Sequence, residues 1–429
     1  MQKRQTLSNV SNSNIIFIFM YILMFFTINQ EIPFFHTFLK FSDEILLISS
    51  SLIIFLWTIY HFFRKLKIKL LGFIIFFIWF GYQILNCLKS PFDLKISLVL
   101  LQSLIHLKVF LISIALFLVY RNTSLERKLV NFLFYYIIFV FFIGIIGNFI
   151  LLDNWNIFWN QSASYRYGII RPIGWFGSPA QNAYMFMLFS CYYLAKNSSN
   201  FIKSIKIFLK TMIISLIMVL ILTVRKILFV IIPIFYFIYK SMKKLELKYL
   251  FILLFSFFNI ILIGLLLHTP IWKDTIMNLH NISPNTSYMR GLIIYNGLKL
   301  FKEFFPFGTG GATFGTVLSQ YNTFEVYNYV GLNIISIISK YGEARGIYDS
   351  GLASFLAENG FFGLLIFLLF LRFYFKFFKK YLNKRGYSFL KIIVFLTLLL
   401  NLTDPVTQNG LYSIFYSIFL LKIKLEEKK

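Results

Sequence analysis

Apolar residues run along this chain in long unbroken blocks, not in alternation. Blocks near twenty residues match the hydrocarbon core of a bilayer. Twelve spans are predicted, at roughly 14–29, 45–63, 68–87, 96–120, 129–152, 179–195, 208–223, 227–239, 249–267, 353–371, 388–402 and 408–421. Inside lipid every backbone polar group must be paired within its own segment, so the spans are helices. The continuous runs exclude the period-two pattern of a membrane barrel. The predicted fold is an all-α polytopic membrane protein, with residues 1–429 forming a single integral membrane domain. Two connections exceed what a turn needs, 153–178 and 268–351. Loops beyond about 15 residues are usually functional or disordered. These two are aromatic-rich with helix-like periodicity, which argues for order. No internal repeat and no matched pair of broken spans is visible, so the inverted-repeat pattern of many secondary transporters is missing.

Charge supplies the orientation. The 429 residues carry a net charge of +26, which in a soluble chain would suggest nucleic acid. Here the connections alternate. With the N-terminus cytoplasmic, the inside segments hold 27 of the 42 basic residues and only four acids (Glu126, Glu246, Glu426 and Glu427). This is the positive-inside pattern, and it replaces nucleic acid as the reason for the charge. It places both termini in the cytoplasm and both long connections outside. Residues 14–27 lack a small-residue cleavage site and read as a first span that stays. Cys87 and Cys191 fall inside apolar runs, so no disulfide framework is indicated.

The outer segments gather the candidate chemistry. Arg166 and Arg171 lie in "SYRYGIIRPIGWFGSPAQNAYMFM", and Arg225 with Lys226 in "LILTVRKILFV" at a tight outer turn. A guanidinium grips phosphate or carboxylate with a planar fork of donors; the plainer reading is contact with lipid headgroups or snorkelling. Arg290 opens an amphipathic helix with Leu292, Ile293, Leu298, Leu300, Phe301, Phe304 and Phe305 on one broad face, expected to lie on or in the outer interface. "FPFGTGGATFG" follows, where Gly308, Gly310 and Gly311 either cradle a phosphate with free N–H groups or simply turn the chain. Asp349 and Glu358 flank the start of the tenth span. Each suits a general base, a helix-dipole partner or, for Glu358, an intramembrane ion pair. Gln102 and His106, at i and i+4, share a face of the fourth span with Lys108 nearby. No metal-ligand spacing and no Ser/His/Asp set occurs in the sequence.

Taken together, these patches resemble the bacterial O-antigen polymerase and ligase superfamily. "RPIGWFGSPAQNA" is similar to the family's Arg-x-x-Gly-x-Phe-x-x-Pro-Asn pattern, matching at Arg171, Gly174, Phe176 and Pro179, with Ala180 in place of Asn. "LTVRK" resembles its Thr-x-Ser-Arg turn through Thr223 and Arg225, with Val224 in place of Ser. Arg290, Pro306, Gly308 and Gly310 or Gly311 resemble its Arg, amphipathic helix, Pro-x-x-Gly-x-Gly segment. Glu358, Gly360 and Gly363 match its next segment, with Asp349 in the region of the ligase histidine. The resemblance implies a GT-C-like glycosyltransferase of the bacterial inner membrane. Such an enzyme joins undecaprenyl-pyrophosphate-linked repeat units outside the membrane, with no nucleotide or metal cofactor. A chain-length regulator and a flippase are implied as partners besides the membrane lipids. Arg166, Arg171, Arg225 and Arg290 would bind pyrophosphate, Gly308, Gly310 and Gly311 would support them, and Asp349 or Glu358 would be the base. The alternatives are a ligase that transfers finished polymer to lipid A–core and, in another class, a lipid-linked oligosaccharide flippase.

Overall fold

Long apolar blocks fold as helices, and in the computed structural model most of the described residues are helical. It describes residues 2–32, 41–63, 67–151, 169–197, 201–242, 289–332 and 350–426, with isolated positions between (39, 154–155, 165–166, 246, 248–249, 252–253, 255–256, 277, 280–283 and 347). In chain order the described helices are α1 (Gln2–Ile28), α2 (Ser42–Phe63), α3 (Lys67–Lys89), α4 (Ile96–His106), α5 (Lys108–Val119) and α6 (Ser124–Leu151). There follow α7 (Pro179–Asn197), α8 (Phe201–Leu222), a 3₁₀ turn Arg225–Val230 and α9 (Ile231–Ser241). The set closes with α10 (Met289–Glu303), short α11 (Ser319–Asn322) and α12 (Glu325–Tyr329), then α13 (Gly351–Tyr381), α14 (Lys384–Leu400) and α15 (Gly410–Glu426). The described strands are a two-residue hairpin, Tyr165–Arg166 against Ile169–Ile170. Among the described residues α2, α6 and α13 each contain a stretch long and apolar enough to cross a membrane, and the bent pair α4–α5 reaches that length only if its two helices are counted as one span. The segment expected at 249–267 lies largely outside the described residues.

Helices that are apolar on every side belong in the middle of a bundle. Every residue of α5 is buried, and so is α15 from Gly410 to Ile423. These two pack together as the axis, with α1, α2, α6, α7, α13 and α14 around them. One polar contact ties this axis to α13: Ser113 shares a hydrogen bond of 2.8 Å with Tyr374, which bonds Tyr416 at 3.0 Å. Each hydroxyl has a partner, as burial requires.

One expectation changes. The block at 96–120 is not one straight helix: α4 and α5 meet at Leu107 with a bend of 69°. Side chains at the break take distant partners, Lys108 reaching Asp43 at 2.7 Å and His106 reaching Glu358 at 2.9 Å. The face of α10 that packs against the rest of the protein is narrow. Ile293, Asn296, Gly297 and Leu300 are buried, while Leu298 and Phe305 are exposed. The reason is glycine. At Gly297 a Cβ would come within 2.9 Å of the Ala353 carbonyl oxygen, so the bare backbone lets α10 dock along α13. Ile293 and Leu300 join Phe314, Val326, Tyr327 and Ala357 in a small separate core.

α13 is itself broken. Gly360 sits at φ 59°, ψ −162°, outside helical geometry. Buried carbonyls released at such a break must find new donors. The glycine segment supplies them. Thr309 N donates to Ala357 O at 2.8 Å and Gly310 N to Glu358 O at 3.0 Å. In return Phe361 N donates to Pro306 O at 2.8 Å. From α3, Asn86 reaches Glu358 O at 2.8 Å, and the Tyr82 hydroxyl bonds the carbonyls of Phe307 and Asn359. Gly308 (φ 86°) makes the closest approach, since a Cβ there would meet Gly360 N at 2.6 Å and Glu358 O at 2.7 Å. Gly308→Ala is therefore expected to cost about 1–3 kcal/mol of stability, read as a lower unfolding temperature of the purified protein in detergent. Gly331, with φ 79° but open space around it, is the control and should lose less on the same substitution.

Candidate functional site

Glu358 is fully buried, and both its oxygens are engaged. Oε1 accepts from Thr313 N at 2.9 Å, Phe314 N at 3.2 Å and the Thr316 hydroxyl at 2.9 Å. Oε2 faces His106 Nε2 at 2.9 Å. A carboxylate gathering several N–H and O–H donors is a strong local organiser, because charge-assisted bonds are about twice as strong as neutral ones. Expected as a candidate base, Glu358 in this structure holds the loop 309–316 onto α13 and joins both to the α4–α5 break. The other ring nitrogen of His106 lies 3.4 Å from Gln408 Nε2, and Gln102 Nε2 donates to Gln408 Oε1 at 3.3 Å. The shared face of Gln102 and His106 thus meets the short 3₁₀ turn Val406–Gln408.

The glycines follow from the same arrangement. The N–H groups of Gly308, Thr309, Gly310, Thr313, Phe314 and Gly315 all have partners inside the protein. Gly310 (φ 99°) packs so closely that a Cβ would lie 2.5 Å from Leu94, and one on Gly311 would lie 3.1 Å from Val99. The segment turns the chain and lets two backbones touch, and the N–H groups of Gly308 and Gly310 are spent on Phe304 O and Glu358 O.

Arg290 and Lys226 converge elsewhere, on a residue that the sequence analysis passed over. Asp404 stands between α14 and the 3₁₀ turn Val406–Gln408. Its Oδ1 lies 3.4 Å from Arg290 Nη2, and its Oδ2 bonds both Lys226 Nζ and the Tyr184 hydroxyl. The three charged side chains keep 13–27% of their surface accessible, so the cluster is neither dry nor fully solvated. Four separated stretches meet here: α7, the turn after α8, the first residues of α10, and the connection between α14 and α15. Arg225 is next to Lys226 in this turn. The turn carries strain, because Thr223 adopts φ 51°, rare for a β-branched residue.

Arg171 lies on the segment that leads into α7, and Tyr184 lies on α7 itself. That segment is fastened to its neighbours. Ile173 N donates to Asn148 of α6 at 3.1 Å, Asn182 donates back to Ile173 O at 2.9 Å, and Trp175 reaches Asn29 at 3.3 Å. Gly174 (φ 65°) fits against Asn182, where a Cβ would sit 2.5 Å from the amide. For Arg166 the backbone is described, in the small hairpin, and the side chain is not; Asp349 lies outside the described residues. The cluster had one visible signal. Asp404 is the sole acid between Glu358 and Glu426, and an acid isolated among apolar spans is a functional candidate by default.

The segment Asp404–Gln408 links the cation cluster to the Glu358 network. It is braced by Asn401, whose side chain accepts from Thr407 N and Oγ1 at 3.3 and 3.1 Å and whose carbonyl accepts from Leu352 N at 2.7 Å. Removing Glu358 would leave several buried donors unpaired. Glu358→Ala is expected to destabilise by about 3–5 kcal/mol, while Glu358→Gln, which keeps an acceptor for the loop and a donor for His106, costs less than half as much. Thermal unfolding of the two variants side by side checks this, and equal losses would contradict it. Compared with known proteins, the chain matches no family model and no curated protein, so the reading of this cluster rests on its own geometry.

Proposed function

We propose that this chain is a GT-C-like membrane glycosyltransferase of about twelve spans in a bacterial inner membrane, with both termini cytoplasmic. Its reaction joins undecaprenyl-pyrophosphate-linked oligosaccharide units into a surface polysaccharide. The convergence of Arg290, Lys226 and Tyr184 on Asp404 carries this reading. It gathers three of the stretches singled out in the sequence, two of them directly through a cation, at one partly open place. The donor already holds an activated bond. The acceptor hydroxyl oxygen forms the new bond to the anomeric carbon as the carbon–oxygen bond to pyrophosphate breaks. The lipid pyrophosphate leaves with the electron pair, and the hydroxyl proton passes to a base.

Such a step needs positive donors fixed where charge develops on the leaving group. Arginine provides them at any relevant pH without a metal. In this reading Arg290 and Lys226, with Arg225 and Arg171 alongside, receive the pyrophosphate. Asp404 keeps them oriented and offsets their repulsion before substrate arrives; the incoming anion carries more charge and takes over. Glu358 holds the scaffold, which leaves Asp349 as the candidate base. Flippases and chain-length regulators are the expected partners.

Deletion of the gene, complemented by variants expressed to normal level, tests this. Loss of the protein should leave single-repeat glycan on an otherwise intact carrier or core, and the wild-type gene should restore the ladder. Arg290→Ala should cut polymer formation by roughly 100-fold, the scale seen when a fixed donor to developing charge is lost, and Asp404→Asn, which takes away the partner that orients these cations, should abolish it. Unchanged polymer in Arg171→Ala, Arg225→Ala and Arg290→Ala alike would end the assignment. Normal polymer stranded on its carrier in the deletion strain would point to a ligase, and loss of outward-facing lipid-linked units to a flippase.

A further inference from the structure

At the opposite, lysine-rich end of the bundle, α13 and α14 form a corner around Leu382 and Asn383. A groove of about 640 Å³ opens on its outer side. Leu368, Leu371 and Phe375 give it an apolar floor, and Arg372, Lys376 and Lys391 stand along it with their side chains exposed. The Tyr387 ring connects the two parts. It packs edge-on to Phe375 with centroids 6.4 Å apart and carries Lys391 Nζ 4.9 Å above its face. Lys240, from α9, reaches the same corner and bonds Ser388 Oγ and, at 3.4 Å, Lys384 O.

The charge here is uncompensated. The sequence has no Asp or Glu between Glu358 and Asp404, so neither helix brings an acid to this corner. Among the described residues no carboxylate forms an ion pair with Arg372, Lys376, Lys391 or Lys240. Burial, with repulsion from Lys384 and Lys391, holds the Lys240 ammonium below its ordinary pKa. Elsewhere at this end cations do find acids: Lys196 bonds Glu426 at 2.8 Å. Depth matters as well. Arg372 lies nine residues before the end of α13 and Lys391 seven residues after the start of α14. At a rise of about 1.5 Å per residue both are about 10–14 Å up from the corner. They thus stand beside the apolar floor, where a phosphate at the headgroup level can meet them while its acyl chain runs along Leu368 and Leu371.

The geometry points to a binding site for an anionic phospholipid, with its phosphate between Arg372, Lys376 and Lys391 and an acyl chain on the floor formed by Leu368, Leu371 and Phe375. Charge complementarity selects the occupant. A zwitterionic lipid brings its own cation and gains little from three unpaired ones, whereas each basic residue near an anionic headgroup adds to the attraction. The apolar floor selects a lipid over a free phosphate. This site is independent of the transfer reaction, since it shares no residue with the Asp404 cluster.

The test uses the full-length protein purified in detergent and titrated with phosphatidylglycerol, phosphatidylcholine or inorganic phosphate. Native mass spectrometry reads bound lipid, and thermal unfolding reads stabilisation. Phosphatidylglycerol should remain bound and raise the unfolding temperature, and the other two should not. The double variant Arg372→Gln/Lys391→Gln should weaken phosphatidylglycerol binding roughly tenfold or more. Lys206→Gln/Lys210→Gln, two exposed lysines on α8, should leave it unchanged while removing the same charge. Equal losses in the two double variants, equal binding of phosphatidylcholine, or binding of inorganic phosphate as strongly as lipid would each overturn the site. All substitutions are at exposed positions, and an unaltered unfolding temperature without lipid confirms that folding is intact.

Discussion

The structure depends on the pairing of the buried backbone groups released where α13 breaks at Gly360. In a buried setting each unpaired carbonyl or amide costs about as much as a lost hydrogen bond. Here the carbonyls of Ala357, Glu358 and Asn359 receive Thr309 N, Gly310 N, Asn86 and Tyr82. The Glu358 side chain then gathers Thr313, Phe314 and Thr316 on one side and His106 on the other. One broken helix, one glycine loop and one bent helix pair are thereby made a single rigid unit.

The candidate site follows from that unit. The glycine loop directly follows α10, so fixing the loop fixes the helix whose second residue is Arg290. Close docking at Gly297 aligns α10 with α13. Gln408 touches His106, and Asp404, four residues earlier, receives Arg290 and Lys226. The cation cluster and the Glu358 network are two ends of one short segment. The position of Arg290 is thus set by contacts outside the cluster, the supporting shell that a charged site needs if its donors are to be pre-aimed.

Much of the helical framework was legible because long apolar blocks leave the backbone few alternatives. The bend at Leu107 was not: the side chains on either side of it, His106 and Lys108, pair with Glu358 and Asp43, both distant in sequence. The glycines of "FPFGTGGATFG" were readable as a tight turn but not as more. Gly310 N goes to Glu358 O and Gly315 N to the Tyr327 hydroxyl, acceptors that nothing in the turn itself reveals. Asp404 was overlooked although its isolation was visible; nothing local in "LTDPVTQNG" shows that Arg290 and Lys226 fold back onto it.

Reconstitution tests the central claim most directly. The purified full-length protein in liposomes is given one lipid-pyrophosphate-linked oligosaccharide and no nucleotide, metal or second protein, and product size is followed with time. The account predicts a ladder of lengthening lipid-linked glycan with release of lipid pyrophosphate, abolished in Asp404→Asn protein that unfolds at the wild-type temperature. An unextended substrate with folded wild-type protein, or an undiminished ladder from the Asp404→Asn variant, would contradict it.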